Sequence, residues 1–142
     1  MAGSGKPFDV SLVTPDGPAF EGPAEMMIVP GQIGEIGVLA RHAPLIATLR
    51  AGATRIHPLG GGEVLEFATG PGFFQILHDR AIALVDDAVE ASKVDEARAR
   101  EQLASAQAEL EAIERGESAA DRWQVEQRVR HAENQLSVSG RS

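Results

Sequence analysis

The sequence has 142 residues, 43% of them apolar and 24% charged, which allows one domain with a hydrophobic core and an appendage but not two large domains. A net charge of -8 disfavours nucleic acid and anionic lipid as partners, and the absence of cysteine excludes disulfides, thiolate metal sites and cysteine nucleophiles. No apolar run is long enough to cross a bilayer and the first ten residues lack a signal-peptide core, so we expect a water-soluble chain without direct membrane insertion.

Short apolar stretches of period two, separated by glycine and proline, run from Phe8 to about Asp87 and predict an all-β sandwich or barrel. The first stretch, residues 8–13, alternates apolar and polar side chains, and the TPDG sequence that follows it is typical of a tight turn. The PLGGGE sequence between Ile56 and Val64 predicts a hairpin tip. Further strands are predicted at residues 24–29, 45–49, 53–57, 63–68, 73–77 and 81–85.

After Asp87 the composition changes to Ala, Glu, Arg and Gln, without glycine or proline until Gly116, which predicts helix. Gly116 is placed to end a first helix in the left-handed conformation, and Ser118 with Asp121 forms a capping-box pattern for a second. Apolar residues recur at steps of three and four on both: Ala99, Leu103, Ala106, Leu110 and Ile113, then Val125, Val129, Ala132 and Leu136.

The predicted fold class is α+β with segregated elements: an N-terminal antiparallel β-sandwich followed by a C-terminal antiparallel two-helix hairpin. We expect a flexible N-terminus (residues 1–7), the sandwich (8–88), the hairpin (89–138) and a flexible tail (139–142). Because the seam between the helices is rich in alanine, the hairpin should be marginal alone and able to exchange between the sandwich and another protein. The alternative is a permanently docked hairpin that completes the core.

Motifs for catalysis are missing from the sequence, which has no GxxxxGK[ST], HExxH or GxSxG pattern. The histidines at positions 42, 57, 78 and 131 occur singly, without the spacing that a metal site usually shows. We therefore predict a non-catalytic chain without a metal, the rival being an enzyme with an unrecognised site on the sandwich.

Several blocks occur in an order and spacing that resemble the epsilon subunit of the bacterial F-type ATP synthase. These are the F-x-G turn at residues 20–22, the strand that ends in Pro30-Gly31, G-E-(apolar)-G at 34–37 with HAPL at 42–45, TGPGFFQILHDRAIALVDDAVEA at 69–91 and VDEARA at 94–99. The likeness covers nearly the whole chain.

The resemblance implies a central-stalk subunit that binds the gamma subunit, rests its sandwich on the c-ring and couples rotation to the alpha/beta catalytic head. Its hairpin would extend along gamma into the head and inhibit ATP hydrolysis. The complex makes ATP from a proton gradient, and the chain would be a peripheral protein on the cytoplasmic face of the bacterial cell membrane. No cofactor would be required, with ATP at most a weak regulatory ligand. The alternative is a stand-alone ATP-sensing module without a rotary role.

Glu35 and His42 are the residues that the resemblance assigns to the c-ring contact. Glycines and a proline flank them, so we expect a loop that projects from the sandwich. A carboxylate and an imidazole can both bond to a polar, charged loop, and such charges chiefly set orientation and on-rate. The alternative for His42 is a hydrogen bond to a nearby backbone carbonyl that only fixes the loop.

Val94, Asp95, Arg98 and Ala99 lie in VDEARA, which resembles the family's ATP-binding signature although Val94 stands where Ile or Leu is usual. The resemblance therefore implies a nucleotide site at the start of the first helix. A guanidinium can hold phosphate and a carboxylate can accept from an adenine amine or a ribose hydroxyl. Alternatively, Asp95 completes a capping box with Ser92, three residues earlier.

Arg122, Arg128 and Arg130 lie on the predicted second helix. They are candidates for meeting acidic loops of the catalytic head when the hairpin extends, or for adding charge to the nucleotide site when it is folded. Because glutamates lie among them, the alternative is a solvated helix face. Trp123, the only tryptophan, is expected to anchor its helix to a neighbour.

Overall fold

Nine strands and two long helices follow one another in the computed structural model, which describes residues 6–140. Residues 1–5 of the predicted flexible N-terminus and 141–142 of the predicted tail lie outside the described residues. The elements are β1 (Phe8–Thr14), β2 (Gly17–Gly31), β3 (Gly34–Val38), β4 (Leu45–Leu49), β5 (Gly52–Pro58), β6 (Leu65–Thr69), β7 (Gly72–Leu77), β8 (Arg80–Val85), β9 (Ala88–Glu90), a 3-10 turn (Ala91–Lys93), α1 (Glu96–Glu114) and α2 (Arg122–Ser139).

The structure confirms the predicted sandwich, and strand β2 connects its layers. The strand order is β1-β8-β7-β4-β2-β5-β6-β9, with β3 on β2 and a further pairing of β1 with β2. Because β2 has 15 residues, its first part pairs with β1 while its last part pairs with β3 and β5. Among the described pairings, β1 with β8 is the one parallel pair, a detail that the sequence pattern did not predict.

Period-two alternation buries one face of each strand in a common core. On β1 the apolar residues Phe8, Val10 and Leu12 are at most 3% exposed. Facing strands contribute a second set of side chains, among them Met27, Leu49, Ile56, Phe74 and Ile76. These are the residues that the alternation predicts to lie inside.

Two strands were not predicted, and β2 is longer than the stretch 24–29. Gly22 and Pro23, which the sequence pattern placed before the start of this strand, lie inside β2 opposite Val10 and Asp9. A glycine and a proline therefore do not interrupt the strand here. Residues 34–38, expected to form part of a loop, pair with β2 as β3. The short β9 pairs with β6.

The chain divides into two compact units between Glu90 and Ala91, two residues after the predicted boundary. In the second unit, α1 ends at Glu114 with Arg115 as its C-cap, and Gly116 follows with a φ of 75°. The Glu117 N–H donates to the Ala112 carbonyl (2.8 Å) and the Gly116 N–H donates to the Ile113 carbonyl (3.1 Å), which is a Schellman motif. The predicted left-handed glycine at this helix end is therefore confirmed.

The predicted capping box at Ser118 is wrong, because Asp121 itself caps α2. Its carboxylate accepts from the backbone N–H of Trp123 at 3.0 Å. The Ser118 hydroxyl instead accepts from the Ala120 N–H within the connecting turn, at 3.2 Å. Aspartate and serine are equally good caps, so the spacing did not distinguish them.

Candidate functional site

Glu35 lies on β3 rather than in a projecting loop, and it is paired. Its Oε2 is 2.9 Å from Nη2 of Arg55 on β5, and the Glu35 side chain is 50% exposed. Glu66 on β6 lies 3.8 Å from the other terminal nitrogen of Arg55. The expectation of a projecting loop is therefore wrong for Glu35. Its carboxylate is held in place and partly neutralised by an arginine 20 residues away in sequence.

His42 does lie in a loop, between β3 and β4, and the residue as a whole is half-buried. Nδ1 is 2.7 Å from the carbonyl oxygen of Ala43. A carbonyl can only accept, so Nδ1 is the donor in this bond, and in the neutral form of the ring Nε2 is then the nitrogen with a free lone pair. The backbone N–H of His42 also donates to the Leu39 carbonyl at 3.2 Å. The bond to a nearby carbonyl, which was the alternative to a c-ring contact for His42, is therefore present, and Nε2 of the neutral ring remains available as an acceptor.

Two large apolar side chains flank these polar groups and were missed by the sequence analysis. Ile33, in the turn between β2 and β3, is fully exposed at 104%, and Leu39, which follows β3, is 56% exposed. We use the name end surface for the segment that carries Ile33, Glu35, Leu39 and His42, which runs from the turn after β2 through β3 into the loop before β4. A surface that combines exposed apolar tips with hydrogen-bond acceptors is suited to another protein.

A second apolar surface, which we call the outer face, covers β4, β7 and β8. Ile46, Phe73 and Leu84 are 74%, 61% and 52% exposed. Phe73 lies directly opposite Leu84 on β8 and opposite Thr48 on β4, so these side chains adjoin across strands. Exposed apolar clusters of this kind mark interaction surfaces. The signal in the sequence was apolar residues at both odd and even positions of the predicted strands 73–77 and 81–85, since successive side chains of a strand point to opposite faces.

The predicted nucleotide residues lie where the 3-10 turn leads into α1. Asp95 is the N-cap of α1, and its Oδ1 accepts from the backbone N–H of Arg98 at 3.0 Å. The capping box that begins at Ser92 is therefore wrong, although the capping role of this segment is real. Ala99 is 1% exposed, whereas Arg98 points its side chain to solvent. One carboxylate oxygen of the proposed site is thus already used by the helix terminus.

The structure does not bring Arg122 or Arg128 to Arg98. Arg128 pairs with Glu109 across the hairpin at 2.9 Å, and Arg122 lies 3.6 Å from both Glu114 and Glu126. At 1.5 Å per residue, Glu109 and Glu114 lie about 16 and 24 Å along α1 from Arg98. Arg130 is exposed on the same helix.

Trp123 is 65% exposed, so the expected anchoring of α2 by this ring is wrong. The buried residues of the hairpin are instead small. Ala99 and Ala106 of α1 and Val125, Ala132 and Val138 of α2 are at most 2% exposed. The predicted alanine-rich seam is therefore present, with Val138 as an addition.

Within residues 6–140, no helix is long and apolar enough to cross a membrane. The same residues contain no group of three or more His, Asp or Glu side chains placed to hold a metal ion.

Known proteins match both units of the chain. Residues 7–91 match the family model described as ATP synthase, Delta/Epsilon chain, beta-sandwich domain. The chain is 36% identical to the ATP synthase epsilon chain of Bacillus cytotoxicus, covering 94% of this chain and 97% of that protein. It is 33% identical to the epsilon chain of Bacillus pumilus, covering 96% and 99%.

The fold is also similar to a chain of a solved assembly, the Euglena gracilis mitochondrial ATP synthase described as OSCP/F1/c-ring. The TM-score is 0.75 at 21% identity, over 95% of this chain and 84% of that one. At this identity the likeness concerns the fold.

Proposed function

Because the chain belongs to the family of ATP synthase epsilon chains, we propose that it is the central-stalk subunit that couples rotation of the c-ring to the catalytic head and restrains ATP hydrolysis. In this role it is a non-catalytic subunit of a proton-translocating complex. It would sit as a peripheral protein on the cytoplasmic face of the bacterial cell membrane. The observation that carries the proposal is that relatives named ATP synthase epsilon chain align over both units, the hairpin as well as the sandwich.

We assign the end surface to the c-ring. Glu35 and His42 present acceptors there, a carboxylate oriented by Arg55 and the free Nε2, so the surface fits a polar loop that offers hydrogen-bond donors. Ile33 and Leu39 add apolar area around these groups. Apolar area supplies most of the affinity, while the polar pair sets orientation.

We assign the outer face to the gamma subunit. A permanent partner in a rotating stalk needs a contact that transmits torque without sliding, and permanent interfaces are more apolar than transient ones. Ile46, Phe73 and Leu84 supply such an apolar cluster, since all three are more than half exposed. Covering it with gamma would remove these side chains from water.

The hairpin is the proposed inhibitory element. Its seam buries alanine and valine, and a buried alanine contributes far less than the roughly 1.5 to 3 kcal/mol of a larger apolar side chain. Arg122 and Arg128 pair with glutamates at the hairpin surface, where an exposed ion pair contributes about 0.2 to 1 kcal/mol. Exchanging these partners for acidic loops of the alpha/beta head therefore costs little, and the exposed Arg130 can join them.

The rival role, a stand-alone ATP-sensing module, has weaker support. Asp95 already caps α1, and Arg122 and Arg128 of α2 pair with glutamates that lie far along α1 from Arg98. A single exposed guanidinium holds a phosphate weakly in salt. ATP would thus act at most as a weak regulatory ligand, and no cofactor is required.

The test is reconstitution of the cognate synthase, prepared without its epsilon chain, with the full chain or with a chain ending at Glu90. We expect both to bind, since the β-strands are complete at Glu90, and only the full chain to lower the rate of ATP hydrolysis. Equal hydrolysis rates with both bound chains would remove the inhibitory role. Failure of the full chain to bind would contradict the assignment to the stalk.

A further inference from the structure

We propose that Asp79 is a positioning residue that holds the His42 loop, residues 39–44, in the conformation needed for docking. This inference rests on the proposed function, in which the end surface meets the c-ring. The contact that carries it joins residues 38 apart in sequence: the Asp79 carboxylate accepts a hydrogen bond from the backbone N–H of Arg41. No motif in the sequence pairs these two positions.

The topology of the sandwich brings the two segments together. Strands β4 and β7 are antiparallel, with Leu45 opposite Ile76. The residues just before β4 therefore lie beside the residues just after β7, which are His78 and Asp79. This juxtaposition is set by the sheet and does not depend on the side chains at either position.

Asp79 is itself held rigidly. His78 and Asp79 are the two residues of the turn between β7 and β8, and their φ angles of 49° and 56° are typical of a type I′ hairpin. The Asp79 carbonyl accepts from the backbone N–H of Asp9 on β1 at 2.9 Å. The backbone that carries the Asp79 carboxylate is therefore fixed both by the β7–β8 turn and by the hydrogen bond to β1.

The backbone of Arg41, by contrast, needs a stabilising partner. Arg41 has a φ of 66°, a left-handed conformation that is unfavourable for a residue with a Cβ. A carboxylate that accepts from its N–H is a charge-assisted bond that favours this conformation over the alternatives. The turn that Arg41 belongs to, closed by the His42 N–H and the Leu39 carbonyl, orients both side chains that the loop contributes to the end surface. Asp79 thus acts on docking through Arg41, without a contact of its own to the partner.

The experiment measures binding of full-length variants to the cognate synthase prepared without its epsilon chain. Asp79→Ala removes the acceptor and should weaken binding roughly three- to tenfold, as expected for loss of one charge-assisted bond at an exposed position. Asp79→Asn keeps an oxygen acceptor and should recover most of the affinity. The thermal midpoint of the free chain should be the same for Asp79→Asn as for the unmodified protein, because both residues tolerate the left-handed φ of 56° at this turn, whereas alanine tolerates it less well and should lower the midpoint slightly.

A glycine at position 41 separates positioning from a direct contact. Glycine adopts positive φ at no steric cost, so Arg41→Gly should make the loop independent of Asp79. We expect Asp79→Ala to have little further effect in the Arg41→Gly background. An equal loss of affinity in both backgrounds would overturn the proposal, as would unchanged binding by Asp79→Ala.

His42→Ala and Leu39→Ala distinguish failure of the inference from failure of the proposed docking surface. If these two variants weaken binding while Asp79→Ala does not, the positioning role is wrong and the docking surface stands. If both bind as the unmodified chain does, the loop is not a docking element, and the positioning role is overturned with it.

Discussion

Val125 is the largest fully buried apolar side chain near the start of α2, and its replacement by alanine tests whether the hairpin seam controls inhibition. The side chain is 2% exposed, and the change removes two carbon atoms from a packed seam. At about 0.8 kcal/mol per buried carbon, the transfer loss is roughly 1.6 kcal/mol, and the cavity left behind raises the cost to about 2 kcal/mol. The opening equilibrium of the hairpin should therefore shift roughly 30-fold.

Two measurements follow from that shift. In the free full-length chain, hydrogen exchange of amides in both helices should become faster, since they exchange through opening of the hairpin. In the reconstituted synthase, the Val125→Ala chain should inhibit ATP hydrolysis more strongly, because the folded hairpin competes with the extended one. Val129→Ala, at a half-buried position of the same helix, is the matched control and should change both quantities less.

Unchanged exchange in Val125→Ala, or equal changes in both variants, would refute the reasoning that this seam limits hairpin opening. Faster exchange with unaltered inhibition would show instead that hairpin opening does not govern inhibition.

Three further substitutions test individual features of the fold. Gly72→Ala should lower the free energy of unfolding of the sandwich by several kcal/mol in urea denaturation, because the added Cβ would overlap the backbone carbonyl of Leu84. Gly62→Ala, whose added Cβ would have its nearest neighbour at 3.5 Å, should change that free energy little. Asp95→Ala should destabilise α1 by about 1 kcal/mol, seen as faster amide exchange in its first turns, while Asp95→Asn retains the cap; equal effects of the two would contradict the capping role. Gly116→Ala should destabilise the hairpin by about 1 to 2 kcal/mol through its left-handed backbone alone, since the added methyl group would meet open space; an unchanged helix exchange rate would show that the Schellman turn is not required.

The sequence predicted the two units and most of their elements because those features depend on neighbours within a few residues. Alternation along β1 identified its buried face, and the steps of three and four on α1 and α2 identified the alanine-rich seam. Gly116 could be recognised as a helix end because a left-handed C-terminal residue is a local requirement. Even so, Ser118 and Asp121 were assigned the wrong capping roles, since either side chain satisfies the same backbone donors.

The resemblance to a family directed attention to Glu35 and His42, but their surroundings could not be predicted. Glu35 was expected in a projecting loop, and it lies instead on an edge strand, in an ion pair with Arg55. His42 was correctly expected in a loop, and its bond to the Ala43 carbonyl, one of two alternatives, leaves Nε2 as the free nitrogen.

By itself, then, the sequence determined the class of fold, the division into sandwich and hairpin, and the family, because periodicity, helix ends and motif order are properties of adjacent residues. Only the tertiary structure decided that Arg55 pairs with Glu35, that Asp79 supports Arg41, that Phe73 faces solvent and that β1 runs parallel to β8. Each of these depends on strand register between segments that are distant in sequence. Register is set by how the whole core packs, a property that no short stretch of the chain contains.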